Sequence, residues 1–177
     1  MVLNRSNARS SPMFSMVRMG LAALIVVITA VWSMAQAGDS VVGSWRLLSW
    51  VQEDVESKAA QTVFGDNPVG VITYTSDGHM SVFIANPKRR PAGGPFATDA
   101  EAADLYRTMV AYSGTYSIDG NNVTHKVEVS WNQAWNGTDQ HCFIEVKDNR
   151  LTIKTPTMVS QISGKRSINT LVWERMK

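Results

Sequence analysis

Short stretches in which apolar and polar residues alternate recur along the chain from residue 43 onward, and turn residues separate them. Apolar side chains at every second position are typical of strands with one buried face. Asp77-Gly78 and Asp119-Gly120 each separate two such stretches, and Asp-Gly favours a tight hairpin because both turn positions accept positive φ. The pattern predicts eight strands: Trp45–Gln52, Val69–Thr75, Met80–Ile84, Ser113–Ile118, Val123–Trp131, Thr138–Val146, Leu151–Lys154 and Ser167–Arg175.

One long segment between the strands has a different pattern. Prolines and glycines in residues 87–95 exclude regular structure at its start. Thr98 and Glu101 then form a capping box, in which each side chain can bond to the other residue's backbone amide. We therefore expect one short helix, from about Asp99 to Val110, on a long loop.

Eight short antiparallel strands and one helix predict an all-β fold, an eight-stranded antiparallel up-and-down barrel. Closing the sheet into a barrel removes the unpaired edges that an open sheet would leave. A sandwich of two sheets is the alternative. A barrel of eight strands has an interior just wide enough for core side chains or for one small ligand.

The first 37 residues form a separate region. An uncharged apolar run, Gly20–Trp32, follows three arginines and is shorter than the roughly 20 residues that a membrane-spanning helix needs. An Ala-x-Ala pattern ends at Ala37 and is typical of a cleavage site. We predict a signal peptide at residues 1–37, cleaved after Ala37, and a single mature domain at residues 38–177. That domain would be periplasmic or secreted, without a stable membrane anchor; an uncleaved anchor is the alternative.

Charge narrows the range of partners. Removing the signal peptide takes away three arginines and no acidic residue, so the formal net charge changes from +2 to −1. The basic run that remains, Lys88–Arg90, is too short for a nucleic-acid surface. We expect no nucleic-acid partner.

The single cysteine, Cys142, cannot form an internal disulfide. Its position in a predicted strand favours a buried, unreactive thiol. A catalytic thiolate would need a basic neighbour to lower its pKa. His141 is adjacent in sequence, but adjacent side chains of a strand point to opposite faces.

His125 is the candidate pocket residue of the strand Val123–Trp131, because the rest of its face is apolar. With period two, that face also carries Val123, Val127, Val129 and Trp131. Burial would keep the imidazole neutral by disfavouring its charged form. Such a histidine can be a hydrogen-bonded core residue, or it can line a pocket with Tyr74 and Tyr116, whose strands could face it. The tyrosine rings can equally fill the core.

A second candidate is the connection at residues 131–140, which carries Trp131 and Trp135. Large aromatic residues on a connection indicate a pocket rim or lid, or simply packing over one end of the barrel. Asp139 could form an acid–base pair with His125 if the two side chains meet. If the protein is an enzyme, the catalytic candidates are therefore His125, Tyr116 and Asp139.

Other catalytic patterns are absent from the sequence. The three histidines lack zinc-site spacing, and the sequence has no phosphate-binding loop, dinucleotide fingerprint or G-x-S-x-G motif. We expect no metal and no cofactor.

Gly43-Ser44-Trp45 resembles the G-x-W signature of the lipocalins. Residues 70–81 resemble the hairpin "G-y-i-x-Y-t-x-d-G-x-M-s" of the bacterial and fungal lipocalin-like domain family. Further blocks match that family in order, at residues 111–116, 123–130, 135–140 and 171–175. The resemblance covers essentially all of residues 42–175 and implies a lipocalin-like β-barrel, but it implies no common reaction or ligand.

The resemblance also implies a structural role for the first motif. In lipocalin barrels the tryptophan of G-x-W closes the floor and stacks on an arginine of the last strand. Gly43, Trp45 and Arg175 are the matching residues here, with Arg46 as the local competitor of Arg175.

The sequence favours an exported protein that binds a small hydrophobic or amphipathic molecule in the barrel. The alternative is a lyase or isomerase that acts on an apolar substrate in the same pocket, with His125 as acid–base. A third possibility is an interaction module that takes no ligand and uses Trp131 and Trp135.

Overall fold

The computed structural model of the protein describes residues 41–160 and 163–177. The signal peptide predicted at residues 1–37 lies outside the described residues and stays a prediction. The described part contains ten β-strands, a helix and a short 3-10 helix: β1 Gly43–Asp54, β2 Ala60–Thr62, β3 Val69–Tyr74, β4 His79–Ala85, α1 Asp99–Arg107, β5 Met109–Asp119, β6 Asn122–Ser130, the 3-10 helix Gln133–Trp135, β7 Asp139–Lys147, β8 Arg150–Lys154, β9 Met158–Val159 and β10 Arg166–Arg175.

Eight of the strands form a closed antiparallel barrel. They follow one another in the order β1-β3-β4-β5-β6-β7-β8-β10, and β10 pairs with β1 to close the ring. The closing pair is long, from Trp45 opposite Arg175 to Asp54 opposite Ser167. β2 and β9 add short pairings to β1 and β10. The predicted eight-stranded up-and-down barrel is confirmed.

The ends of some elements differ from the prediction. Thr98 caps α1 as expected, and the carboxylate of Glu101 accepts a hydrogen bond from the Thr98 backbone amide at 2.8 Å. The helix ends at Arg107, earlier than Val110, and β5 begins at Met109. β2 was not predicted, because all of its side chains are exposed and it therefore carries no alternation of apolar residues.

A β-bulge changes the orientation of the last residues of β6. Ser113 of β5 pairs with Val129, and Gly114 pairs with Val127, so Glu128 is the extra residue. Val129 is 58% exposed. The prediction that Val129 shares the inward face of His125 is wrong, because the bulge reverses the alternation after Val127.

Gly114 allows the two strands to approach each other at this bulge. A Cβ atom on residue 114 would overlap the backbone carbonyl oxygen of Lys126. Glycine is therefore required by the packing of β5 on β6 rather than by an unusual φ angle.

The interior of the barrel combines large apolar residues with a small number of polar ones. Trp45, Trp173 and Tyr74 are the largest of the side chains that are completely buried. The buried polar residues among those described are Gln52, His125, Ser160, Ser167 and Asn169. Since a buried polar group needs hydrogen-bond partners, these residues indicate where polar contacts form inside the otherwise apolar barrel.

Candidate ligand-binding site

A cavity of about 100 Å³ lies inside the barrel. Four tryptophans, Trp50, Trp131, Trp135 and Trp173, contribute to its wall, together with aliphatic side chains such as Ile84 and Leu171. Trp131 and Trp135 are in edge-to-face contact with ring centres 4.9 Å apart, and Tyr106 of α1 lies beside Trp131. The connection predicted to form a rim therefore contributes to the cavity wall.

The volume of the cavity limits what it can hold. Cavities that take drug-sized ligands measure roughly 300–1,000 Å³, whereas an engineered apolar cavity of about 150 Å³ holds benzene. At about 100 Å³, this cavity has room for a molecule on the order of a single ring. The barrel would need to rearrange for anything much larger.

His125 of β6 is the central polar residue of the cavity wall. It is 1% exposed and lies between two tyrosines. Its Nε2 is 2.8 Å from the hydroxyl oxygen of Tyr74 at the end of β3, and its Nδ1 is 2.9 Å from the hydroxyl oxygen of Tyr112 on β5. Three strands thus supply one continuous hydrogen-bonded chain, Tyr74–His125–Tyr112.

Burial keeps this chain uncharged. Desolvation lowers the pKa of His125 to about 4 and raises the pKa of Tyr74 and of Tyr112 above the usual value for tyrosine. At neutral pH all three side chains are therefore neutral. A neutral imidazole has one N–H donor and one acceptor nitrogen, so one tyrosine donates to His125 and the other accepts from it.

The burial of Tyr74 decides which tyrosine donates. Tyr74 is 1% exposed, and His125 is the hydrogen-bond partner of its hydroxyl among the described residues. If Tyr74 accepted from His125, its own O–H would be left unpaired, at a cost of roughly 1–3 kcal/mol. Tyr74 therefore donates to Nε2, and Nδ1–H donates to Tyr112. The hydroxyl hydrogen of Tyr112, which lines the cavity, remains available to a ligand.

A second polar cluster lies on the cavity wall around Asn169 of β10. The side-chain oxygen of Asn169 accepts hydrogen bonds from Trp50 Nε1 at 2.9 Å and from Gln52 Nε2 at 3.2 Å. Gln52 also donates to Ser160 Oγ at 2.8 Å. Asn169 was not predicted as a site residue. The pattern that singled out His125 applies to it as well, because Asn169 shares a period-two face with Leu171 and Trp173.

The structure separates the predicted catalytic residues. Tyr116 pairs with His125 across β5 and β6, but its hydroxyl donates to the Thr75 carbonyl oxygen at 2.9 Å, and its ring packs edge-on against Tyr74. Asp139 is exposed and pairs with Lys126, on the opposite face of the strands from the buried His125. Of the predicted pocket residues, Trp131, Trp135 and His125 line the cavity, and Tyr74 lies behind His125.

Tyr112 was missed by the sequence prediction, which began the strand at Ser113. Tyr112 and Tyr116 lie four positions apart in β5, so period two assigns them to one face of the strand. The alternation along the strand therefore indicated Tyr112, but the predicted strand began one residue too late to include it.

Cys142 lies on the cavity wall as a half-buried thiol. Burial raises its pKa to about 12. His141 lies on the exposed face of β7, where its Nδ1 is 3.0 Å from Thr124 Oγ1. The thiol therefore has no thiolate character at neutral pH.

At one end of the barrel, Arg175 stacks on Trp45, its cross-strand neighbour. A Cβ atom on Gly43, whose φ is +128°, would come within 2.9 Å of the Arg175 guanidinium. Arg46 instead forms an exposed ion pair with Glu174 at 2.8 Å. The arginine that meets the tryptophan is thus the one from the last strand.

Two kinds of feature are missing from the part of the chain that the structure describes. No group of three or more His, Cys, Asp or Glu side chains there is arranged to hold a metal ion. No helix there is long and apolar enough to cross a membrane.

The closed eight-stranded antiparallel barrel and its internal, largely apolar cavity place this protein in the class of lipocalin-like β-barrels. The chain belongs to the lipocalin-like domain family, whose model matches residues 42–176. This match confirms the resemblance that the sequence motifs indicated. No curated protein shows significant similarity to the sequence.

The solved structures that are similar to this chain include two from Bacteroides species. A lipocalin-like protein from Bacteroides uniformis has 12% identity and a TM-score of 0.42, and the match covers 77% of this chain and 99% of that one. An uncharacterized protein from Bacteroides eggerthii has 11% identity and a TM-score of 0.39, with the same coverage of the two chains.

Proposed function

We propose that this protein is an exported binding protein that holds one small, mainly apolar molecule inside its barrel. The observation that carries the proposal is the cavity itself, with its wall of tryptophans and aliphatic residues and few polar groups. Such a wall is typical of small-molecule sites, in which apolar contacts supply affinity and a few polar groups orient the ligand. Export rests on the predicted signal peptide at residues 1–37.

The positions of Trp131 and Trp135 support a binding protein over an interaction module. Both side chains are half-buried and contribute to the cavity wall, and Trp135 also packs edge-on against Tyr112. Tryptophans that serve a partner protein would instead form an exposed patch on the surface.

The first experiment is native mass spectrometry of the protein purified from its own compartment, together with a solvent extract. A binding protein should carry one small molecule per chain, and an N-terminus at Gly38 should accompany export. Binding can then be tested directly with toluene, a single-ring apolar probe, followed by calorimetry. A clean extract together with failure of the protein to take up toluene or any other single-ring probe would contradict the proposal.

A pair of variants locates the toluene site. Val110→Phe adds a ring at a valine that lines the cavity, and Val71→Phe adds the same ring at a valine 38% exposed on the outside. Toluene binding should be lost in the first variant and retained in the second. Equal binding by both variants would show that the probe binds elsewhere.

The Tyr74–His125–Tyr112 chain supports a second candidate, a lyase or isomerase. In that case the Tyr112 hydroxyl would contact the substrate and His125 would relay a proton from behind it. An isomerase purified with its ligand should yield two isomers of one mass, in a ratio that changes on incubation. A single unchanged compound favours the binding protein.

A further inference from the structure

We propose that the ligand of the cavity is neutral and carries a hydrogen-bond-accepting oxygen, as in a ketone or another carbonyl compound. This inference rests on the proposed function and specifies the class of molecule that the same cavity takes. It follows from three side chains on the cavity wall, each of which has a hydrogen-bond donor that no described residue accepts.

The first donor is the hydroxyl of Tyr112. Because Tyr74 donates to His125 and His125 donates to Tyr112, the hydroxyl oxygen of Tyr112 is an acceptor within the chain. Its hydrogen has no acceptor among the described residues, and Tyr112 lines the cavity. An oxygen atom of a ligand would complete the hydrogen-bonded chain.

The second donor is the side-chain NH₂ of Asn169. The N–H groups of Trp50 and Gln52 both point to this amide, and only its oxygen can accept them, which settles the orientation of the amide. The NH₂ group has no acceptor among the described residues, and Asn169 is 5% exposed and lines the cavity.

The third donor is Nε1 of Trp173. This atom is buried without a hydrogen-bond partner, and Trp173 is 1% exposed and lines the cavity. An acceptor for it must come from inside the barrel. Buried N–H groups in folded proteins nearly always have a partner, so an unpaired one on a cavity wall indicates where a ligand atom or an ordered water binds.

The charges on the cavity wall exclude an ionised ligand. The described residues that line it include no Asp, Glu, Lys or Arg, and His125 is neutral. A buried carboxylate or ammonium group would have no counter-ion there, and burying an unpaired charge is strongly unfavourable. The amide oxygen of Gln140, an acceptor on the wall, belongs to a half-buried side chain that water can reach, so it does not require a donor from the ligand.

The test compares two probes of the same shape, cyclohexanone and methylenecyclohexane, in which C=CH₂ replaces C=O. Their affinities for the full-length protein are measured by calorimetry for the wild type and two variants. Tyr112→Phe removes a cavity donor, whereas Tyr116→Phe removes a hydroxyl that is bonded to the Thr75 carbonyl oxygen outside the cavity lining. Comparing changes between variants cancels the different hydration of the two probes.

We expect Tyr112→Phe to weaken cyclohexanone binding by about fivefold to tenfold and to change methylenecyclohexane binding by less than about twofold. Tyr116→Phe should change neither affinity by more than about twofold. An equal effect of Tyr112→Phe on both probes would overturn the acceptor inference and leave the proposed function intact. If neither probe binds to the wild type, the proposed function fails, and the inference fails with it.

A measurement on the wild type keeps the inference testable if Tyr112→Phe does not fold. The carbonyl stretching frequency of cyclohexanone falls when its oxygen accepts a hydrogen bond. Infrared difference spectra of bound, ¹³C-labelled cyclohexanone should therefore show a frequency below that of the ketone in an alkane solvent. A frequency equal to the alkane value would mean that no donor reaches the oxygen, and would overturn the inference.

Discussion

The guanidinium carbon of Arg175 lies 4.0 Å from the centre of the Trp45 ring. The two residues also bond to the short segment before β1, since Arg175 Nη1 donates to the Val42 carbonyl oxygen at 2.7 Å and Trp45 Nε1 donates to the Val41 carbonyl oxygen at 2.8 Å. Trp45 is completely buried. These contacts join the last strand, the first strand and the segment before it at the point where the barrel closes.

Arg175→Lys should therefore lower the free energy of unfolding by about 1–2 kcal/mol, because a desolvated cation–π contact contributes up to roughly 2 kcal/mol and lysine cannot stack and donate as arginine does. Arg46→Lys is the matched control. Its ion pair with Glu174 is exposed, so the free energy should change by no more than about 0.5 kcal/mol. Urea unfolding measures both values, and equal losses would contradict the assigned role of Arg175.

Gly114→Ala should destabilise the protein by more than about 2 kcal/mol, because the new Cβ overlaps the Lys126 carbonyl oxygen and β5 must move away from β6. Gly94→Ala introduces the same methyl group where nothing lies within 4 Å, and it should change the stability little. Thermal unfolding of the two variants checks this difference. A Gly114→Ala variant as stable as Gly94→Ala would mean that the bulge is not as close-packed as the structure indicates.

The fold could be predicted because its signals are local. Alternation along each strand and Asp-Gly at the turns depend only on neighbouring residues. The structure has the predicted strand pairs on either side of Asp77-Gly78 and Asp119-Gly120. The bulge at Glu128 depends on how β6 meets β5. Nothing within the Val123–Trp131 pattern indicates the bulge, so the orientation of Val129 was predicted wrongly.

The candidate site was predicted only in part. His125 was found because it interrupts an apolar face within one strand. Tyr112 was missed because the predicted strand began one residue after it, at Ser113. The contacts themselves are not local, since Tyr112 reaches His125 from the next strand and the cluster around Asn169 joins β10 to β1 through Trp50 and Gln52. The closure of the barrel and the register of its strands decide which side chains meet in the interior. The residue pattern of a single strand does not contain this information.

Cys142 should react slowly with a thiol reagent in the native protein. Burial raises its pKa to about 12, so at about pH 8 only on the order of one molecule in 10⁴ carries a thiolate. The measurement is the rate of labelling with Ellman's reagent, which should rise by orders of magnitude when urea unfolds the chain. Fast labelling of the native protein would contradict the burial of this thiol.

The stability of the protein should depend on pH through His125. Burial lowers the pKa of this side chain from 6.5 to about 4 in the folded state, whereas the unfolded chain keeps a value near 6.5. Between these two values the unfolded state binds the proton and the folded state does not, so the free energy of unfolding falls as the pH falls through this window. From about one pH unit above 6.5 upward, both states are almost entirely neutral at His125, and its contribution no longer changes with pH.

The shift of His125 corresponds to a loss of roughly 3 kcal/mol over the whole window. Urea unfolding between about pH 7.5 and about pH 4.5 should therefore show a steeper loss of stability in the wild type than in His125→Gln, which lacks this titration. His141→Gln is the control, because it removes an exposed histidine and leaves the buried one. It should keep the steep loss of stability, because His125 is still present. If all three proteins lost stability in parallel, His125 would titrate normally, and the neutral Tyr74–His125–Tyr112 chain on which the ligand assignment depends would be wrong.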